Sequence, residues 1–137
     1  MGRLVLADHG IVADESIAFP IACNSSFAGV AELPEYLRAA GKLLTDADRH
    51  AVVEHLAAYP MAGALIEGTG GVRKLRWARD GRGKSGGVRV IYYFHSEAMP
   101  LYLLAMFAKN ERANLSKAER NALAGLVDDL VQLWFER

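Results

Sequence analysis

Gly68-Thr69-Gly70-Gly71-Val72-Arg73-Lys74-Leu75-Arg76-Trp77-Ala78, answered by Gly86-Gly87-Val88-Arg89-Val90-Ile91-Tyr92-Tyr93-Phe94, reads as two strands of one hairpin. Apolar and cationic side chains mix in the first run, β-branched and aromatic residues dominate the second, and glycine clusters bound both. The connection from Arg79 to Gly87 holds four glycines and three cations and is expected to be mobile. After a turn over Ser96 to Pro100, Leu101 to Lys109 forms a third run that is apolar at nearly every position. Such a run suits a strand covered on both faces, with its one charge, Lys109, at the end.

Helix signals lie on either side of these strands. Leu33-Pro34-Glu35 opens a helix with proline in its first turn, and Leu33, Leu37, Ala40 and Leu44 supply its apolar stripe. Thr45-Asp46-Ala47-Asp48 has the form of a capping box with Asp in place of Glu. It predicts a second helix to about Ala58 that buries Val52, Val53 and Leu56 and stops at Pro60. Ser116-Lys117-Ala118-Glu119 is a full capping box and starts a last helix with Ala118, Ala122, Leu126, Leu130 and Trp134 at helical spacing. Ser26 to Ala31 reads as a first edge strand. The expected architecture is α+β: a small antiparallel sheet with an N-terminal helical hairpin and a C-terminal helix. Residues 1–25 read as a poorly defined N-terminal extension, in which Leu4–Leu6 and Ile17–Ile21 are short strand candidates, and residues 26–137 as the functional domain.

The chain has 137 residues and one cysteine, Cys23, so neither an internal disulfide nor a cysteine zinc site is expected, and a reducing cytoplasm suits it. No apolar run approaches a membrane span, and no secretion signal is legible at the N-terminus. The formal net charge is +0, which hides a strong asymmetry. Residues 1–60 carry 4 basic and 8 acidic side chains, 61–112 carry 9 and 4, and 113–137 carry 3 and 4. From Val72 to Arg89, seven cations face a single acid, Asp80. That concentration of positive charge on one hairpin points to a polyanion, with nucleic acid the first candidate.

Strand alternation puts Lys74 and Arg76 on one face and Arg73, Leu75 and Trp77 on the other. Two cations on one face cannot both enter a core without partners, so they face solvent or a ligand. Arg89 on the second strand and Lys109 at the end of the third are expected to join Lys74 and Arg76 around one concave basin. Gly83-Lys84-Ser85 resembles part of a phosphate loop, but Ala78 stands where that motif needs glycine, and a strand rather than a helix follows. Nucleotide triphosphate binding is therefore excluded. Among the histidines, His50 and His55 are expected to face solvent, and only His95, at a strand end, is a candidate proton carrier. Tyr92, Tyr93 and Tyr102 read as sheet-packing aromatics. The acids show no paired-carboxylate or metal-binding spacing.

Three segments resemble the RelE superfamily of type II toxin–antitoxin toxins, and within it the HigB-like branch: Gly68 to Arg76, Gly83 to Tyr93, and Ala108-Lys109-Asn110-Glu111 leading to Asn114-Leu115-Ser116. The resemblance spans roughly Phe27 to Phe135. It implies a compact microbial RNase fold that enters the ribosomal A site and cuts mRNA, and is silenced by a neighbouring antitoxin, usually a helix-turn-helix protein. No membrane partner is implied, and operator DNA is reached only through the antitoxin. Lys74 and Arg76 stand at the family's strand-borne basic pair, Arg89 at its phosphate-contacting arginine, and Lys109 and Arg112 in the basic stretch after the last strand. Two positions depart from RelE itself: Asn110 replaces a catalytic arginine, and Ser116, read here as a helix cap, replaces a catalytic tyrosine.

The chemistry expected on this basis is attack of the mRNA ribose 2′-OH on its adjacent phosphate, with no metal and no cofactor, because the nucleophile belongs to the substrate. Catalytic roles fall to Lys74, Arg76, Arg89, Lys109 and Arg112. Arg76 and Arg89 suit the non-bridging oxygens, Lys74 the base, and Lys109 or Arg112 the leaving oxygen. Arg73, Arg79, Arg82 and Lys84 are expected to bind RNA. The rivals are the ParE branch of the same fold, which acts on DNA gyrase and has less need of clustered cations, and a catalytically inactive RNA- or protein-binding module.

Overall fold

The structure is a computed structural model that describes residues 3–7, 10–14, 29–78, 87–109 and 114–135. Its elements are β1 (Arg3–Ala7), β2 (Gly10–Asp14), β3 (Val30–Glu32), α1 (Pro34–Leu43), α2 (Asp46–Ala58), β4 (Ala64–Leu65), β5 (Val72–Trp77), β6 (Val88–Tyr93), β7 (Leu101–Ala108) and α3 (Lys117–Phe135). A five-stranded sheet in the order β3-β7-β6-β5-β4 forms the centre. The α1–α2 hairpin covers one face and α3 the other, so the fold is α+β as expected.

Three features of the sheet depart from the expectation. The sheet is mixed, because β3 runs parallel to β7, pairing Val30 with Leu101 and Glu32 with Leu103. The helical hairpin and the β5–β6 hairpin lie between these strands in sequence, which gives the chain room to return in the same direction. The two-residue strand β4, paired antiparallel with β5, forms the other edge. Its Ala64 and Leu65 are exposed and too few to set a period. Finally, Ile91 pairs with Ala105 but Tyr92 with Leu103, so Leu104 is an extra residue in β7. That bulge turns two consecutive side chains, Leu104 and Ala105, into the same core. Every residue of β7 is buried, as foreseen for a strand covered on both faces.

Two cores sandwich the sheet. On the hairpin side, Tyr36, Ala40, Val52, Val53 and Leu56 pack on Leu75, Val88, Val90, Tyr92, Leu103 and Met106. On the α3 side, Leu123, Leu126, Val127 and Leu130 pack on Val72, Ile91, Tyr93, Tyr102 and Phe107. Leu126 and Leu130 of the expected α3 stripe are buried, but at its start Ala118 is exposed, while Glu119 is buried. The capping box explains this, since Glu119 turns back to accept from Ser116 N at 2.7 Å while Ser116 Oγ accepts from Glu119 N at 3.1 Å. At α2, Thr45 Oγ1 accepts from Asp48 N at 3.1 Å.

In the N-terminal segment, β1 and β2 pair as an antiparallel hairpin, with β2 beside α3. The Leu4–Leu6 strand candidate lies within β1. Ile17–Ile21 and the start of the Ser26 to Ala31 strand lie outside the described residues.

The turn before β5 fixes the phase of the functional face. Gly68, Gly70 and Gly71 all have positive φ, a region that disfavours side chains. Between them Thr69 is fully buried, donating to Ile66 O at 2.6 Å and accepting from Val72 N at 3.1 Å. Strand residues alternate from that anchored start, so a one-residue slip would exchange Lys74 and Arg76 with Arg73 and Leu75.

Candidate active site: a cationic recess at the end of the sheet

Arg76 and Arg89 are direct cross-strand partners on β5 and β6. Residues so paired project from the same face with Cα atoms about 5 Å apart, and like charges placed this way repel. Arg89 is also the partner of Phe107, whose ring fills the α3-side core. One step further, Lys109 N donates to Gly87 O at 3.1 Å, which brings Lys109 beside the end of β6. Arg76, Trp77, Ala78, Gly87, Arg89 and Lys109 line one recess of about 240 Å³.

Among the described residues, no carboxylate lies within 4.0 Å of any of these three cations. Arg89 is 6% exposed, and its pKa is lowered first by burial and then by the charge of Arg76. A guanidinium nonetheless keeps its charge at neutral pH. The recess thus holds three cations close together, one of them buried, without described acids to offset them. Proteins keep buried charges paired, so among the described residues this arrangement leaves positive charge for an anion to offset. The half-buried Trp77 ring packs on the opposite face of the sheet, against the hairpin-side core and 5.7 Å from the His55 ring, and its Nε1 has no hydrogen-bond partner among the described residues.

The chain matches the family model described as RelE toxin of RelE / RelB toxin-antitoxin system over residues 38–136. It belongs to the RelE toxin family. As a RelE toxin it is one component of a toxin–antitoxin system, and a cognate antitoxin is its partner. The matched segment runs from within α1 through α3 and contains the whole cationic recess; β1, β2 and β3 precede it. No helix among the described residues is long and apolar enough to cross a membrane.

The sequence-derived site residues of this RelE toxin separate into four groups. Arg76, Arg89 and Lys109 converge as above. Lys74 lies on the same sheet face but lines a neighbouring recess with the Ala64–Gly68 segment and the first turn of α3. Arg73, expected to bind RNA, projects from the opposite face. Its Nη1 donates to Gly63 O at 2.8 Å and to Met61 O at 3.3 Å, so it holds the β4 approach in place. Arg79, Arg82, Lys84 and Arg112 lie outside the described residues, as do Asn110 and Glu111.

His50 is exposed as expected, while His95 and His55 are placed differently from the expectation. His95 is six residues beyond Arg89 along β6 and its continuation, about 20 Å at strand rise, so it is at the other end of the sheet from the recess. There its Nδ1 lies 3.1 Å from Tyr93 Oη and its ring 5.1 Å from that of Phe135. His55 is half-buried rather than solvent-facing, with its ring 5.7 Å from Trp77 and 5.5 Å from Tyr59. Among the described residues, no three His, Cys, Asp or Glu side chains are grouped to hold a metal ion. Alternation assigns Trp77 to the face away from Arg76, and its ring lies there, against the hairpin-side core.

Proposed function

We propose that this toxin is a ribosome-dependent endoribonuclease that cuts mRNA and so inhibits translation. The observation that carries the reading is the convergence of Arg76, Arg89 and Lys109 on one recess without a described acid among them. The 2′-oxygen of a ribose attacks the adjacent phosphorus, the P–O5′ bond breaks, and the products are a 2′,3′-cyclic phosphate and a 5′-hydroxyl. The 2′-OH proton passes to a base, and the departing O5′ takes up a proton. The nucleophile belongs to the substrate, so the protein's main task is to stabilise the additional negative charge of the phosphorane.

Arg76 and Arg89 suit that task because a planar guanidinium matches two phosphate oxygens at once. Each preorganised donor contributes about 2–4 kcal/mol if the scale of an oxyanion hole applies. Lys109, the exposed cation at the end of β7, is placed to assist the leaving oxygen. Lys74, two residues from Arg76 on the same face, lines the neighbouring recess rather than this one, so no described side chain of the recess is assigned as the base. This activity is assigned to residues 26–137, in the cytoplasm where ribosomes are found, and the antitoxin is read as a small helix-turn-helix protein encoded alongside.

Mapping mRNA ends after brief expression tests the reading. Cuts inside translated codons with 5′-hydroxyl ends are expected. Gyrase-linked DNA breaks without mRNA cuts would transfer the protein to the ParE branch, and neither product would mark an inactive module.

A further inference from the structure

We propose that a second recess, between the β4–β5 edge and the first turn of α3, is a phosphate subsite that holds the RNA backbone one linkage away from the bond being cut. The inference rests on the endoribonuclease reading. This recess measures about 620 Å³ and is lined by Ala64 to Gly68, Lys74, Lys117, Arg120 and Asn121. Its charged members are Lys74, Lys117 and Arg120 against one acid, Glu67. No ion pair joins any of these four to a described residue.

Three observations favour an anion there. First, Lys117 and Arg120 occupy the first turn of α3, where the helix field already repels cations. A sequence chosen for stability alone places acids at such positions, so Lys117, exposed and making no hydrogen bond to a described residue, points to a requirement other than folding. Second, the backbone donors of that turn do not build the site. The Ser116–Glu119 capping box occupies Ser116 N and Glu119 N, so recognition falls to side chains converging from two different elements. Third, Lys74 and Arg76 share a face of β5 two residues apart, about 6.6 Å along the strand. A single-stranded RNA crossing this face puts successive phosphates at a similar step, so one phosphate at Arg76 and Arg89 brings the next within reach of Lys74. Lys117, Arg120 and Asn121 then close on it from the helix. Only the backbone is gripped, so the subsite is indifferent to base sequence.

The test uses the full-length toxin and a short RNA with deoxyribose at the cut position, so that binding is read without cleavage. A second probe carries one uncharged methylphosphonate at a linkage flanking that position. Lys117→Ala is expected to weaken binding of the first probe several-fold at low salt and to reduce the slope of log affinity against log salt by about 0.7, the value of one single-strand phosphate contact. One of the flanking methylphosphonates should weaken wild-type binding to a similar extent, with little further loss in the variant. With cleavable mRNA on the ribosome the variant should raise KM and leave kcat unchanged.

Arg120 also donates to Leu115 O at 3.1 Å, so Arg120→Ala can loosen the helix start. Lys117 is exposed and makes no such bond to a described residue, which leaves its variant interpretable. Wild-type affinity and slope in Lys117→Ala, or methylphosphonate losses that add fully to it, would overturn the subsite while leaving the nuclease reading intact. Short RNA bound in this way while all-ribose mRNA on the ribosome is never cut would overturn the nuclease reading and leave the subsite standing. A Lys117→Ala defect confined to antitoxin binding would assign the recess to an acidic protein segment instead.

Discussion

Replacing Arg89 by alanine is expected to lower mRNA cleavage by about 10²–10³-fold, the cost of removing one preorganised donor from a developing oxyanion. The toxin should stay folded. Arg89 is buried on β6 opposite Arg76, and losing it removes a like-charge repulsion as well as some packing. Arg89→Lys separates charge from shape. An ammonium keeps the positive field but cannot bind two phosphate oxygens as a fork, so its activity should fall between that of wild type and the alanine variant. Single-turnover cleavage on programmed ribosomes, with circular dichroism as the check on folding, measures both. A fully active, folded Arg89→Ala would remove this side chain from the chemistry.

Phe107→Ala is expected to cost about 3–5 kcal/mol of stability, the usual range for a buried phenyl ring. The ring is 2% exposed and packs in the core under α3. Domains of this kind have only about 5–15 kcal/mol in total, so the variant should lie near its unfolding threshold. Phe107 is also the strand partner of Arg89, so the cavity opens directly behind the recess. Urea unfolding should give a lower midpoint with an unchanged slope. An unshifted midpoint would contradict the packing of α3 on this face.

Much of this fold was legible because its signals are local. Pro34, the Thr45 and Ser116 caps, Pro60 and the Gly68–Gly71 turn each act within a few residues, and the elements they bound fall close to the expected positions. What escaped depends on distant partners. Nothing in Val30-Ala31-Glu32 states that it will pair parallel with Leu101–Leu103, and the uniformly apolar β7 conceals the bulge at Leu104. Burial of Glu35, beside Arg38, depends on how α1 settles on the sheet.

The site divides along the same line. Strand period alone placed Lys74 and Arg76 on a common face, and the order of the hairpin brought Arg89 opposite Arg76. Which recess each side chain enters depends on where α3 and the β4 edge end, and this directs Lys74 away from the three converging cations. The partners of Arg73 were not legible either, because composition counts a charge without its surroundings, and its guanidinium donates to the carbonyl oxygens of Gly63 and Met61. Lys117 was read only as part of a helix start and Arg120 was passed over, although cations in that first turn were already anomalous.

Single-turnover cleavage of a ribosome-bound mRNA carrying one deoxyribose at the cut position tests most directly whether the substrate supplies the nucleophile to a cationic recess. Cleavage at that linkage should stop, while the toxin still binds the ribosome and cuts the all-ribose control. Cutting at the control rate would contradict attack by the 2′-oxygen and, with it, the role assigned to Arg76, Arg89 and Lys109.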